Sequence, residues 1–291
     1  GIPILLELCK SGSLSAQSHA VGALRNISVV EDARSALAEE GAVPLLMRLL
    51  VIGSASTLRK SAKCIAILAS SGEYFRSLVL QEKGLEKLLQ LCLECPTSDT
   101  LEHVLRAIHS LSSSSDSSLH ILSRSTIFTA HLADLIKHGN IRLQHIAASL
   151  LCRLSLADGD KILISGCMTP LVKLMASEKP DGIREVATEA LLSLLSAKPN
   201  RKTLAGDEKV LMRLDQMLDM NNDIVPKRLP VMVVAGIMAG GSKTCRKILV
   251  DAGIHEHLQR LTLVDVPGAD KALQRLSMKK KKLTGLLTKA W

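Results

Sequence analysis

Four short stretches carry residue types that support chemistry. Cys92-Leu93-Glu94-Cys95 has the spacing of a redox dithiol or of half a tetrahedral zinc site. Gly240-Gly241-Ser242-Lys243-Thr244 ends like a phosphate-binding loop, but Ser242 stands where that loop needs glycine before the lysine. His255 and His257 lie two residues apart, so on a helix they point in different directions and do not chelate one ion. Ser110 to His120 is serine-rich and reads as a solvated turn open to phosphorylation. None of these finds a partner set. No second CxxC completes a zinc site, no HExxH or Ser-His-Asp spacing occurs, and the expectation is no catalytic residue, no metal and no cofactor.

The elements around these stretches repeat. Apolar openings begin at Gly1, Gly41, Gly84, Phe128, Cys167, Val210 and Gly253, which places them about 42 residues apart. Each opens an apolar helix, ends in a small-residue turn such as "SGS" or "IGSAS", and continues into a longer helix. Those longer segments, among them "LSAQSHAVGALRNIS", "TLRKSAKCIAILAS" and "IRLQHIAASLLCRLS", place apolar residues at i, i+3, i+4 and i+7. A short helix then leads to the next opening. Cys92 takes the same place in its unit as Cys9, Leu50 and Met175, which makes it a packing residue. Such periodicity predicts an all-α solenoid, over residues 1–265, with residues 266–291 as a capping helix and basic tail.

Composition agrees with close helix packing. The 291 residues are 47% hydrophobic, yet Tyr74, Phe75, Phe128 and Trp291 are the only aromatics, so the core is built from Leu, Ile, Val, Ala and Met. Seven scattered cysteines suit a reducing compartment, cytoplasm or nucleus. The net charge of +9 points to acidic partners, and the scarcity of aromatics argues against stacking on single-stranded nucleic acid. Lys279, Lys280, Lys281 and Lys282 supply much of the excess, and the tail they belong to offers a contact for an acidic or membrane surface.

"EDARSALAEEGAVPLLMRLL", "KTCRKILVDAGIHEHLQRL" and the "ALRNI" at residues 23–27 resemble the armadillo repeat, with its P-x-L opening and A-L-x-N-L closing pattern. The closing "VPGADKALQRL" and basic tail are similar to the ends of plant armadillo proteins, including those that follow a U-box. The resemblance implies a right-handed superhelix of about seven repeats that binds proteins without chemistry of its own. It also implies that the Asn of A-L-x-N-L holds the backbone of an extended peptide, with pockets one and two turns before it. Gly1 aligns past the short leading helix of a repeat, so an upstream continuation is expected.

Carried onto this sequence, that ladder reads His19/Gly22/Asn26, Lys60/Lys63/Ile67, His103/Arg106/Ser110, Ile146/Ser149/Arg153, Val186/Glu189/Ser193 and Pro230/Val233/Ile237. Asparagine occurs once and tryptophan never, which departs from nuclear-import adaptors of this fold. The expected groove is therefore His19, Asn26, Lys60, Lys63, His103, Arg106, Ser110, Arg153 and Ser193, cationic through the first four units and suited to an acidic or phosphorylated peptide. Alternatives are the substrate-recognition part of a U-box ubiquitin ligase and a membrane adaptor using the tail. Pro230 is expected to kink its helix, and the apolar face around it to be covered by the seventh unit or the tail.

Overall fold

A computed structural model describes residues 1–95, 97–113, 116–178 and 182–277, and the described residues form helices and no strand. The chain divides into two compact units, Gly1–Cys167 and Met168–Trp291.

The first unit contains α1 (Ile2–Ser11), α2 (Leu14–Val29), α3 (Glu31–Glu39), α4 (Ala42–Ile52), α5 (Ala55–Ser70) and α6 (Glu73–Gln81). It continues with α7 (Gly84–Glu94), α8 (Ser98–Leu111), α9 (Asp116–Arg124), α10 (Thr126–His138), α11 (Ile141–Arg153), α12 (Asp158–Leu163) and a 3-10 turn, Ser165–Cys167. The longer helices α2, α5, α8 and α11 pack side by side in that order. Each starts where the sequence supplies a cap. Ser13, Ser54 and Thr97 accept from the backbone N–H three residues on, and Asn140 accepts from both Arg142 and Leu143. These side chains satisfy donors that the first helical turn leaves orphaned.

The second unit contains α13 (Met168–Met175), α14 (Ile183–Leu195), α15 (Lys198–Ala205), α16 (Glu208–Leu218), α17 (Arg228–Ile237), α18 (Lys243–Asp251), α19 (Ile254–Leu263) and α20 (Ala269–Ser277). Here α14, α17 and α20 stack in order, and α20 also packs on α19. Pro230 does not kink a helix interior. Helix α17 begins at Arg228, which puts the proline in the first turn, where a missing N–H breaks no intrahelical bond. Pro230, Val233 and Ile237 are buried, so the apolar rung read for this unit is core rather than groove.

The cores follow from the composition. Leu24, Leu46, Ile65, Leu88, Leu105 and Ile108 are closed off from solvent in the first unit, with Phe128 among them. In the second, Leu191, Leu214, Val234 and Leu258 do the same. Two glycines act through backbone shape. Gly41 and Gly253 end the short helices in the left-handed region, at φ 78° each. At the third opening Lys83 takes that conformation instead, at φ 54°, and Gly84 beside it has no room for a Cβ, which would sit 2.4 Å from the Val79 carbonyl oxygen.

A recurring arginine ties three of the short helices, α3, α6 and α15, to the long helix before each. Arg34 donates from Nε to the Ser28 carbonyl at 2.9 Å and from Nη2 to that of Val29 at 3.0 Å. Arg76 donates to the Ala69 carbonyl at 3.3 Å, and Arg201 to those of Leu195 and Ser196 at 2.7 and 2.9 Å. All three occupy the fourth position of their helix, and all meet carbonyls that the end of an α-helix leaves unpaired.

Candidate functional site

The candidate groove residues of the first unit lie along α2, α5, α8 and α11, and the structure divides them by their partners. Lys60 reaches from α5 to α2, where Nζ donates to the Ser18 carbonyl at 2.8 Å and to Ser18 Oγ at 2.7 Å. Its stem also passes Gly22, where an added Cβ would stand 3.6 Å from Nζ. Lys63, half-buried one turn on, forms no ion pair or hydrogen bond among the described residues. His19 is exposed and turns back onto the Ser15 carbonyl at 2.8 Å. Asn26 is exposed, and its amide oxygen accepts from Arg25 Nη2.

On α8, Arg106 is not a free groove cation. Its Nε and Nη2 donate to one oxygen of Glu102, at 3.1 and 3.0 Å. The other oxygen of Glu102 faces Arg142 Nη1 of α11 at 3.7 Å. Ser110 donates to the Arg106 carbonyl and meets Ser70 Oγ, both at 3.0 Å. Arg153 is likewise engaged, donating to Ser113 Oγ at 2.8 Å and approaching His109 Nε2 at 3.3 Å. Burial, with the charge of Arg153 beside it, pushes the His109 pKa down to about 4, so its ring is neutral and Nε2 is an acceptor. Ser193, in the second unit, is half-buried on α14, and its carbonyl accepts from Ser196 Oγ.

Lys60, Lys63 and His103 line one recess of about 260 Å³, together with Arg25, Arg59, Asp99, Glu102 and Arg142. Five cationic side chains therefore face two carboxylates. Arg59 pairs with Asp99 at 3.1 Å, and this hydrogen bond holds the Asp99 carboxyl below its ordinary value. Glu102 is taken by Arg106 and Arg142. Arg25, Lys60 and Lys63 remain without a carboxylate, and burial lowers the His103 pKa. The recess has an unpaired positive charge in a partly desolvated setting, which favours an anionic group.

Arg25, Arg59, Asp99, Glu102 and Arg142 escape the ladder reading because it follows one stripe of each helix. Residues 56, 99 and 142 are mutually equivalent, one turn before the first rung, so the signal lay in extending that stripe. Glu102 is one residue off the stripe; its pairing with Arg106, four residues on, follows from helix spacing, whereas its approach to Arg142, 40 positions away, does not.

The stretches that suggested chemistry serve as structure. Cys92 is buried, and burial pushes its thiol up to about 12, while Cys95 Sγ donates to the Thr97 carbonyl at 3.6 Å. Gly240 and Gly241 form the turn before α18, at φ 90° and 68°, and Ser242 caps that helix. His257 meets Asp215 at 2.9 Å and His255 meets Ser277 at 3.3 Å, on separate partners. Among the described residues no group of three His, Cys, Asp or Glu side chains is placed to hold a metal, and no helix is long and apolar enough to cross a membrane. Part of the serine-rich turn and the whole of Lys279, Lys280, Lys281 and Lys282 lie outside the described residues.

The model of the armadillo/β-catenin-like repeat matches residues 1–29. An engineered protein of the Northeast Structural Genomics Consortium is 24% identical, with a TM-score of 0.72 over 95% of this chain and 67% of that one. β-Catenin, solved in work on a phosphorylation switch that controls its interaction with cadherin, is 15% identical, with a TM-score of 0.76 over 96% of this chain and 55% of that one. A designed armadillo repeat protein in complex with the peptide (KR)4 is 17% identical, with a TM-score of 0.52 over 94% of this chain and 97% of that one. No curated protein matches the sequence. The triplets of helices, the repeat matched at residues 1–29 and these solenoids agree: residues 1–29 match an armadillo repeat, and the chain has the fold of the armadillo-repeat solenoids.

Proposed function

We propose that the chain is a non-enzymatic scaffold whose first unit binds an acidic or phosphorylated peptide segment of a partner protein. The armadillo fold is typical of protein-binding scaffolds, and a designed member holding (KR)4 illustrates that charged peptides suit it. Here the recess between α2, α5, α8 and α11 carries the opposite requirement. Its one decisive feature is the set of Arg25, Lys60 and Lys63, three cations facing the recess with no carboxylate of their own. A carboxylate or phosphoryl group entering it gains charge-assisted hydrogen bonds without breaking an existing ion pair. Seven free cysteines, five of them buried, suit the cytoplasm or nucleus as its location.

Fluorescence anisotropy with an alternating glutamate–phosphoserine octapeptide tests this. Binding at low salt is expected to weaken about tenfold in Lys63→Glu, the order of one lost charge-assisted hydrogen bond, and to fall as salt rises. Equal binding by the parent and Lys63→Glu, or preference for (KR)4 over the acidic peptide, overturns the reading.

A further inference from the structure

We propose that the second unit holds a separate oxyanion site, formed by Arg246 of α18 and Arg275 of α20 over the Gly240–Gly241 turn. Three of the long helices, α2, α5 and α14, end on an arginine of the short helix that follows. Arg246 is the fourth residue of its short helix, the place that Arg34, Arg76 and Arg201 occupy in theirs. Arg34 and Arg201 spend their guanidinium groups on carbonyls, and Arg76 gives Nη1 to the Ala69 carbonyl while its Nε and Nη2 pair with Glu73. In Arg246, by contrast, Nε is buried and has no hydrogen-bond partner.

The cause lies in the link before α18. One residue, Val30, separates α2 from α3, whereas residues 238–242 separate α17 from α18. That link turns through two left-handed glycines, and the carbonyl that Arg246 would clamp is carried away. Arg201 takes the Ala239 carbonyl instead, and a Cβ on Gly240 would stand only 2.9 Å from its Nη1. Gly240 thus admits Arg201 to the helix end and leaves Arg246 without an acceptor.

What Arg246 faces is a recess of about 320 Å³, lined by Met238, Ala239, Gly240, Gly241, Arg246 and Arg275. That volume is at the lower end for ligand sites. Arg275 enters it from α20 with only a 3.4 Å contact to the Ala235 carbonyl. Among the described residues no carboxylate forms an ion pair with Arg201, Arg246 or Arg275. A guanidinium stays charged at every accessible pH, so a buried donor without an acceptor is a standing demand for an anion. Two planar donor forks lining one recess match the oxygens of a phosphate or carboxylate group. The site is independent of the groove in the first unit.

The test is nitrogen-15 NMR of the arginine Nε–Hε groups in the full chain, titrated with inorganic phosphate at constant ionic strength. The Arg246 resonance is expected to move saturably, and Arg275→Gln to weaken the half-point about tenfold. Lys63→Met, which alters only the groove, is expected to leave it unchanged. A phosphoserine peptide run in parallel separates the sources. Tighter binding than inorganic phosphate assigns the site to a partner segment and equal binding to a free anion, and both uphold it. No saturable movement, an unchanged half-point in Arg275→Gln, or loss of the movement in Lys63→Met overturns it. Arg275 is exposed, so its replacement is expected to leave the fold intact and a negative result is not a folding failure.

Discussion

Lys60 of α5 rests its ammonium on Ser18 of α2, taking both the carbonyl and the hydroxyl oxygen of one residue 42 positions away. The contact joins two neighbouring repeats through the face that would meet a ligand. A lysine that reads from sequence as a free groove cation therefore also stitches the stack together. Lys60→Met is expected to destabilise the first unit by about 1–2 kcal/mol, since it removes a half-buried charged donor from two acceptors. Urea unfolding of Lys60→Met, Ser18→Ala and the double variant measures the coupling. Additive losses would show that the hydroxyl part of the contact contributes nothing of its own, since Ser18→Ala leaves the carbonyl in place.

Glu102 organises two arginines while hidden from water. Its side chain is 9% exposed, against 52% for Arg106 and 72% for Arg142. In Glu102→Gln the arginines stay solvated, so the expected cost is modest, about 1–2 kcal/mol. Arg106→Glu is expected to cost more, because it sets a second carboxylate against a buried one. Thermal melts of the two variants give the order. It also explains why Lys63, and not Arg106, is the residue to reverse when groove binding is measured.

His109 makes stability depend on pH in a defined direction. Its folded pKa is about 4, against an ordinary value near 6.5. Between those values the unfolded chain binds the extra proton and the folded chain does not, so stability falls as pH drops from about 6.5 to about 4. The loss is at most about 3 kcal/mol, reduced by the partial solvent access of the ring. His103 and His131, also lowered by burial, act in the same sense. Denaturant unfolding across that range should show the slope, and His109→Gln should flatten it.

The clamp arginines predict a contrast within one unit. Arg201→Ala strips donors from the carbonyls of Leu195, Ser196 and Ala239 and should cost about 2–3 kcal/mol. Arg246→Ala removes no hydrogen bond and should fall within about 0.5 kcal/mol of the parent. Phosphate-free unfolding curves of the two variants decide it; equal losses would mean that Arg246 has a partner.

How much was legible varies from residue to residue. Ser13, Ser54 and Asn140 declare their helix starts through side chains that satisfy backbone donors within three residues. Cys92 could be assigned to packing by its place in the repeat, and it is buried. Pro230 could not be judged so well. Its effect depends on whether α17 starts at Arg228 or earlier, and the local pattern fits either. Lys60, Lys63 and His103 could be read as one stripe of equivalent positions, and they line one recess, but the partners that Lys60 and Arg153 find across the stack could not be read. Arg106 has Glu102 one turn before it where Lys63 has Arg59, so that pair follows from helix spacing, and only the approach of Arg142 to Glu102 needed the packing.

The sequence by itself determined the repeat, the helix starts and the apolar faces, because these depend on neighbours within one or two turns. The tertiary structure decided which charges remain unspent. Lys60 found Ser18, Arg153 found Ser113, and Arg246 lost its carbonyl to a longer link between helices. Such pairings join residues about 40 positions apart, and a shift of a few ångströms makes or breaks a charge-assisted hydrogen bond.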